Sequence, residues 1–390
     1  MQTIISENIR YIGVDDTTLD LFENQYPVPE GVSYNSYVIL DEMVALLDTV
    51  DKRGQKEWEE KLLQTLNGRK VDFLIIHHME PDHAGSIARI VELFPEVVLV
   101  GSAKTFAMLP QYFQLPLEVH TLTVKEGDKL ALGEHTLTFF MAPMVHWPEV
   151  MVSYEKREKV LFSADAFGKF GVLSLTEQVG WACEARRYYF NIVGKYGAAV
   201  QTLLKKLEGL ELQWICPLHG PMIKEGLQNY VNLYKIWSSY APESTGVVIV
   251  YATMHGNTGE VARTLAVKLQ EQGVRIRLHD LTREDMSQIL TDAFRYDRLV
   301  LAAASYDGGV CLSMLDFLHH LQSKAYQNRR VALMENGSWS PCAAKTMRTI
   351  LETMKDIEIL EPTVTIYSTL KESDLQTLDQ LVEVLLECGE

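Results

Sequence analysis

The sequence predicts two consecutive α/β domains, a mixed domain rich in antiparallel hairpins over residues 1–243 and a doubly wound parallel sheet over residues 244–390. Three observations carry this prediction. The chain is 390 residues long, enough for two domains that each bury a core. Short apolar runs punctuated by turns fill its first half, whereas strands and helices alternate strictly in its second. Between them Y-A-P-E-S-T-G, residues 240–246, carries no periodic apolar face and sets the boundary near residue 243.

In the first half, runs 36–40 and 43–48 flank Asp41-Glu42 and read as a hairpin. Trp58, Leu62 and Leu66 recur at fourfold spacing, which predicts a helix stopped by Gly68. Residues 71–76 form a buried-type strand, and 86–94 a helix with Ile87, Ile90, Val91 and Phe94 on one face. Strands follow at 97–100, 119–124, 130–140, 150–154 and 160–162. In the second half, strands at 247–251, 274–279, 299–303, 331–334 and 364–367 alternate with helices. Val261, Leu265 and Leu269 mark a helix that ends at Gly273. The last helix is predicted to begin at Ser373, with Gln376 completing a capping box.

Composition bounds the function. With 47% hydrophobic and 23% charged residues, nothing calls for disorder. The longest apolar runs are strand-length and too short to span a bilayer. The start M-Q-T-I-I-S-E-N-I-R has no basic region or signal core, so a cytoplasmic location is expected. A net charge of −16 argues against nucleic-acid binding. Cysteines stand at 183, 216, 311, 342 and 388 with no C-x-x-C pair, excluding a disulfide framework, a zinc knuckle and a built-in rubredoxin-type iron site.

The chemistry begins at H-H-M-E-P-D-H, residues 77–83, on a loop between a strand and a helix. His78, Glu80, Asp82 and His83 suit metal ligation. In an extended loop alternate residues point the same way, so 78, 80 and 82 are expected to converge with 83 opposite, an arrangement for two metals. His77 has the other parity and reads as a packed or solvated histidine. His146 in M-V-H-W-P, Asp165 in S-A-D-A-F-G and His219 in P-L-H-G-P each follow a strand in a turn-rich segment, where functional residues collect.

This order, H-x-E-x-D-H followed by His, Asp and His, resembles the metal signature of the metallo-β-lactamase fold over about residues 1–240. The resemblance implies an αββα sandwich. Hydrolases of that fold usually carry histidine at the position of Glu80 and bind zinc, whereas the Glu variant is similar to the flavodiiron, or A-type flavoprotein, family. Glu80, Asp82 and Asp165 make the donor set harder and more anionic, which suits redox-active iron. The resemblance implies that His78, Glu80 and His146 hold one iron, Asp82, His83 and His219 the other, and Asp165 bridges them. Asp48, in V-A-L-L-D-T-V, matches an aspartate that supports such sites from behind or serves a turn.

After strand 247–251 comes A-T-M-H-G-N-T-G, in which Thr253, Met254, His255, Gly256, Asn257 and Thr258 precede a helix. Free N–H groups and the positive end of the helix dipole at such a start bind phosphate. The region 247–390 resembles flavodoxin, and that likeness implies a flavodoxin-like sheet binding FMN at its carboxyl edge. The further contacts implied are Ala304, Ser305, Tyr306, Asp307, Gly308 and Gly309, then Asn336, Gly337, Ser338, Trp339 and Ser340. Relatives often carry Pro-Thr where Ala304-Ser305 align here. Tyr306 and Trp339 are candidates to pack on the flavin ring.

No G-x-G-x-x-G follows a strand, so electrons are expected from a separate protein rather than from NAD(P)H; the family resemblance implies a donor such as rubredoxin. The family resemblance implies reduction of O2 to water and/or NO to N2O at a diiron centre fed by FMN, in a head-to-tail homodimer. The rival expectation is a zinc-dependent hydrolase of the same fold fused to a flavodoxin.

Overall fold

The computed structural model describes residues 5–173 and 180–387; residues 1–4 of the amino-terminal stretch and Cys388 lie outside them. Two compact units, Met1–Lys235 and Ile236–Glu390, divide within the helix Leu227–Ser238, upstream of the boundary read from composition.

The first unit contains two main sheets. One orders Ile9–Tyr11, Tyr37–Leu40, Val44–Leu47, Phe73–Ile75, Val98–Gly101 and His120–Thr123. The other orders Lys129–Ala131, Thr136–Met141, Met151–Glu155, Val160–Phe162 and Trp214–Cys216. A single apolar core joins them, with Ile39, Leu47, Ile75 and Val100 from the first and Leu137, Phe139, Met151 and Phe162 from the second. Each such buried side chain contributes roughly 1.5–3 kcal/mol of transfer free energy. Trp58, Leu62 and Leu66 of the helix Gln55–Leu66 are buried, as their spacing requires.

The hairpin at Asp41-Glu42 forms as expected, pairing Val38 with Leu46. The run 130–140 is not one strand but two, Lys129–Ala131 and Thr136–Met141, paired antiparallel. Gly133, at φ +134°, makes the turn, and Asp41 Oδ2 fixes it by accepting from the His135 backbone N–H at 2.6 Å.

In the second unit, strands Ile276–Asp280, Ser244–Ala252, Tyr296–Tyr306, Arg329–Asn336 and Ile357–Ile366 lie side by side in that order, all parallel. This is the doubly wound order 2-1-3-4-5, whose ligands bind at the carboxyl edge. Val247–Ala252 is buried throughout, the continuous apolar run expected of a strand covered on both faces. The last helix, Glu372–Leu386, starts before Ser373: the Asp374 carboxylate accepts from the Lys371 backbone N–H at 2.8 Å and so caps it two residues earlier than Ser373-Gln376 would. Among the described residues no helix is long and apolar enough to cross a membrane.

Candidate metal centre and cofactor pocket

The strand Phe73–Ile75 lies between two parallel neighbours, so the chain leaving it emerges at the sheet's carboxyl edge. Residues 77–80 form that exit, and Pro81, with its fixed φ and missing N–H, opens the short helix Pro81–Ala84. The helical turn ends the alternation on which the extended-loop reading rested. His78 and Glu80 consequently join His146 and Asp165 in one set, while Asp82 and His83 join His219 in another. The expectation that 78, 80 and 82 converge, with 83 opposite, is corrected accordingly.

In the first set, Glu80 Oε2 lies 3.1 Å from His78 Nε2 and 3.0 Å from His146 Nε2. In the second, Asp82 Oδ2 lies 3.4 Å from His83 Nε2 and 3.2 Å from His219 Nε2. Asp165 stands between them. Its Oδ2 is 3.2 Å from both His78 and His146, and its Oδ1 is 3.5 Å from His83 and 3.8 Å from His219.

These donors fit a pair of cations. Both oxygens of Asp82 and Oδ1 of Asp165 are buried with no hydrogen-bond donor. The Nε2 atoms of His83 and His219 point at each other across 3.0 Å. Buried polar atoms left this way are costly unless an ion satisfies them. Without cations the charges compensate one another. Burial opposes a charge on His146, but Asp165 and Glu80 outweigh it and push the imidazole up to about 9. Burial likewise opposes ionisation of Glu80 and Asp165, yet the neighbouring histidines hold both carboxyls well below the usual range.

The surroundings fix ring orientation. His78 Nδ1 donates to Glu149 Oε1 at 2.8 Å, and His219 Nδ1 donates to the Ser33 carbonyl at 2.8 Å, so each Nε2 faces inward. Asn35 holds the P-L-H-G loop through bonds to the carbonyls of Pro217 and Gly220, each 2.8 Å. His77 is packed, not solvated: it is 1% exposed and bonded to Asp48 Oδ2 at 2.5 Å and Ser153 Oγ at 2.8 Å. Asp48 also accepts from the His77 backbone N–H, so it steadies the loop rather than facing either ligand set.

Sequence reasoning missed two residues. Glu149, three positions after His146 in H-W-P-E, could have been flagged as a carboxylate beside a candidate ligand. Tyr188 carries no such signal, because it ends the helix Trp181–Tyr188 like any amphipathic residue. It is fully buried, its ring is 5.5 Å from that of His219, and its hydroxyl has no hydrogen-bond partner. Burial and the charges of Asp165, Asp82 and Glu80 raise this phenol well above its ordinary value. A π-helical turn, Tyr189–Val193, follows directly, an irregularity common at functional sites. A cleft of about 430 Å³, with Leu21, Phe22, Tyr34 and Arg53 in its walls, reaches Glu80 and Asp82.

In the second unit a cavity of about 550 Å³ opens at the carboxyl edge of the parallel sheet, a size suited to a cofactor. All the predicted contacts line it except Gly256 and Gly309; Cys342 and Ser368 were not foreseen. Gly256, at φ +93°, is the N-cap of the helix Asn257–Glu271 and leaves the first turn without a side-chain cap. Its N–H donates to Thr253 Oγ1 at 3.0 Å, which closes the loop. Two predicted contacts have structural duties. Ser305 Oγ accepts from the backbone N–H groups of Cys342 and Ala343, at 2.8 and 3.1 Å, and Asn336 brackets Ser368 through both ends of its amide. Tyr306 is half exposed and Trp339 is 90% exposed.

Comparison with known proteins agrees with this division. Residues 32–220 match the ODP family β-lactamase model, and residues 249–377 match the flavodoxin model. The anaerobic nitric oxide reductase flavorubredoxin of Salmonella typhi is 27% identical over 90% of this chain and 75% of its own. The rubredoxin oxygen:oxidoreductase of Desulfovibrio gigas superposes with a TM-score of 0.90 at 25% identity, covering all of both chains. A flavodiiron protein of Giardia intestinalis shares the fold, with a TM-score of 0.90 at 22% identity over 99% of this chain and 96% of its own.

Proposed function

We propose that this chain, which joins an ODP-type β-lactamase domain to a flavodoxin domain as flavodiiron proteins do, reduces O2 to water and/or NO to N2O with electrons passed through FMN. The observation that carries this reading is the donor set, four imidazoles and three carboxylates in two groups around Asp165. When bound, two irons would supply electrons and open coordination positions, held by His78, Glu80 and His146 on one side, Asp82, His83 and His219 on the other, and Asp165 between. FMN, held by loops 253–258, 304–309 and 336–340, would supply the remaining electrons.

The chain's own groups have three further tasks. The cleft beside Phe22 and Tyr34 admits a small substrate to Glu80 and Asp82. Tyr188, whose ring packs 5.5 Å from that of His219, keeps its proton on an oxygen with no hydrogen-bond partner among the described residues, which makes it the proton donor this reading assigns. Glu149 and the Ser33 carbonyl keep His78 and His219 in the tautomer that presents Nε2. A separate donor such as rubredoxin supplies electrons in the cytoplasm, and the active form is a head-to-tail homodimer, which light scattering tests.

Anaerobic stopped-flow of the reduced, iron-loaded protein against O2 and against NO tests the reaction. Rapid flavin reoxidation with either gas is expected. Two zincs per chain together with thioester hydrolysis would instead establish the hydrolase reading.

A further inference from the structure

The two ligand sets match donor for donor. Each has two imidazole Nε2 atoms and one carboxylate of its own, and Asp165 turns one oxygen to either side. With the same kinds of donor on both sides, what stands behind the ligands can set two metals held there apart, and there the sets differ. Behind His78 is Glu149, whose side chain is fully buried. Its Oε1 accepts from His78 Nδ1 and from the Met79 backbone N–H, both at 2.8 Å, while Oε2 meets no donor. Among the described residues His78 is the ion-pair partner of this carboxylate. Behind His219, its Nδ1 meets a neutral carbonyl, that of Ser33. His83 Nδ1 has no hydrogen-bond partner among the described residues.

An imidazole whose remote N–H is drawn toward a carboxylate gives more electron density to a cation than one bonded to a neutral carbonyl. We infer that Glu149 makes the two subsites inequivalent: acting through His78 as a positioning residue, it makes the Glu80 side the tighter subsite and the first to fill. This inference rests on the two-metal reading above and assigns that centre an order of loading.

The test is an anaerobic titration of the full-length, FMN-loaded protein, stripped of metal by chelation, with Co(II) against a competing chelator. Visible d–d absorption reports each step. The wild type should bind two Co(II) with stepwise affinities about 10–100-fold apart, the range that outer-shell carboxylates command. Glu149→Gln keeps the acceptor for Met79 but removes the charge; it should weaken the first step by that same factor and bring the two steps within about threefold. The thermal midpoint should not move. His219→Ala should retain the tight step and His78→Ala should lose it, so the assignment does not depend on one variant folding. Two indistinguishable steps in the wild type, or equal weakening of both by Glu149→Gln, would overturn the inference. No Co(II) binding by the wild type would overturn the two-metal reading itself.

Discussion

The metal-side unit and the flavodoxin unit solve the problem of holding a cofactor in opposite ways. In the first, side chains do the holding: His78, His83, Asp165 and His219 are each no more than 1% exposed, and several of their atoms have no partner but one another. In the second, loops at strand ends surround an open cavity whose aromatics face solvent. A buried constellation of charges stores its design in a few residues and fails when one is lost. A cavity lined by three separate loops spreads the task, so single substitutions there should cost less.

The largest effect should come from Asp165→Ala. Outer-shell losses alone cost about 10–100-fold in metal affinity, and loss of the carboxylate that faces both sets should exceed that upper figure. Metal analysis should then find neither site filled, with flavin absorbance intact. Retained metal and unchanged gas turnover would sink the assignment.

Tyr188→Phe should slow gas turnover by roughly a hundredfold, the lower end of what a positioned proton donor contributes. Because the hydroxyl it removes is buried and unpaired, thermal stability should hold or rise slightly. A variant with full turnover but a lowered melting point would make Tyr188 a packing residue.

Next in size is a pH effect confined to the metal-free protein. The His146 imidazole is held up to about 9 when folded, above its ordinary value of 6.5. A raised folded value means stabilisation that is fully present below the unfolded value and lost as pH rises through the folded one. The melting temperature of the stripped protein should therefore fall between about pH 6.5 and 9. Metal loading, which needs neutral imidazole, should flatten that slope and release protons on binding. A slope that is the same with and without metal would contradict the proposed coupling.

In the flavodoxin unit the effects should be smaller. Gly256→Ala imposes a left-handed backbone on an L-residue at a cost of about 1–2 kcal/mol, or roughly tenfold in FMN affinity if loop strain is the whole effect. Nothing lies within 4 Å of the added Cβ, so no clash enlarges it. Smallest of all, Trp339→Ala should leave stability within about 0.5 kcal/mol and show only in flavin fluorescence and affinity. If Trp339→Ala proved as damaging as Asp165→Ala, the contrast between the two kinds of site would not stand.

Much of this was legible before folding. The alternation of strands and helices after residue 246 implied the parallel sheet, because strands buried on both faces must read as unbroken apolar runs. The ligand types were legible too, since histidine and carboxylate rarely gather at strand ends without reason. Ser305 and Asn336 show the limit: their places in the pocket could be read, but not that a helix start and Ser368 engage their side chains.

By itself, then, the sequence determined which donors exist, their order along the chain, and the strand-to-loop exits that carry them. Tertiary structure decided how they divide. One helical turn at Pro81 separates Asp82 from Glu80, and the facing of His83 and His219, 136 residues apart, depends on how distant strand ends meet. The recruitment of Glu149 to His78, across 71 residues, was settled at the same level. Local spacing records which chemistry is available. Which atoms meet is fixed only when separate strands take their register and bring their ends to one edge.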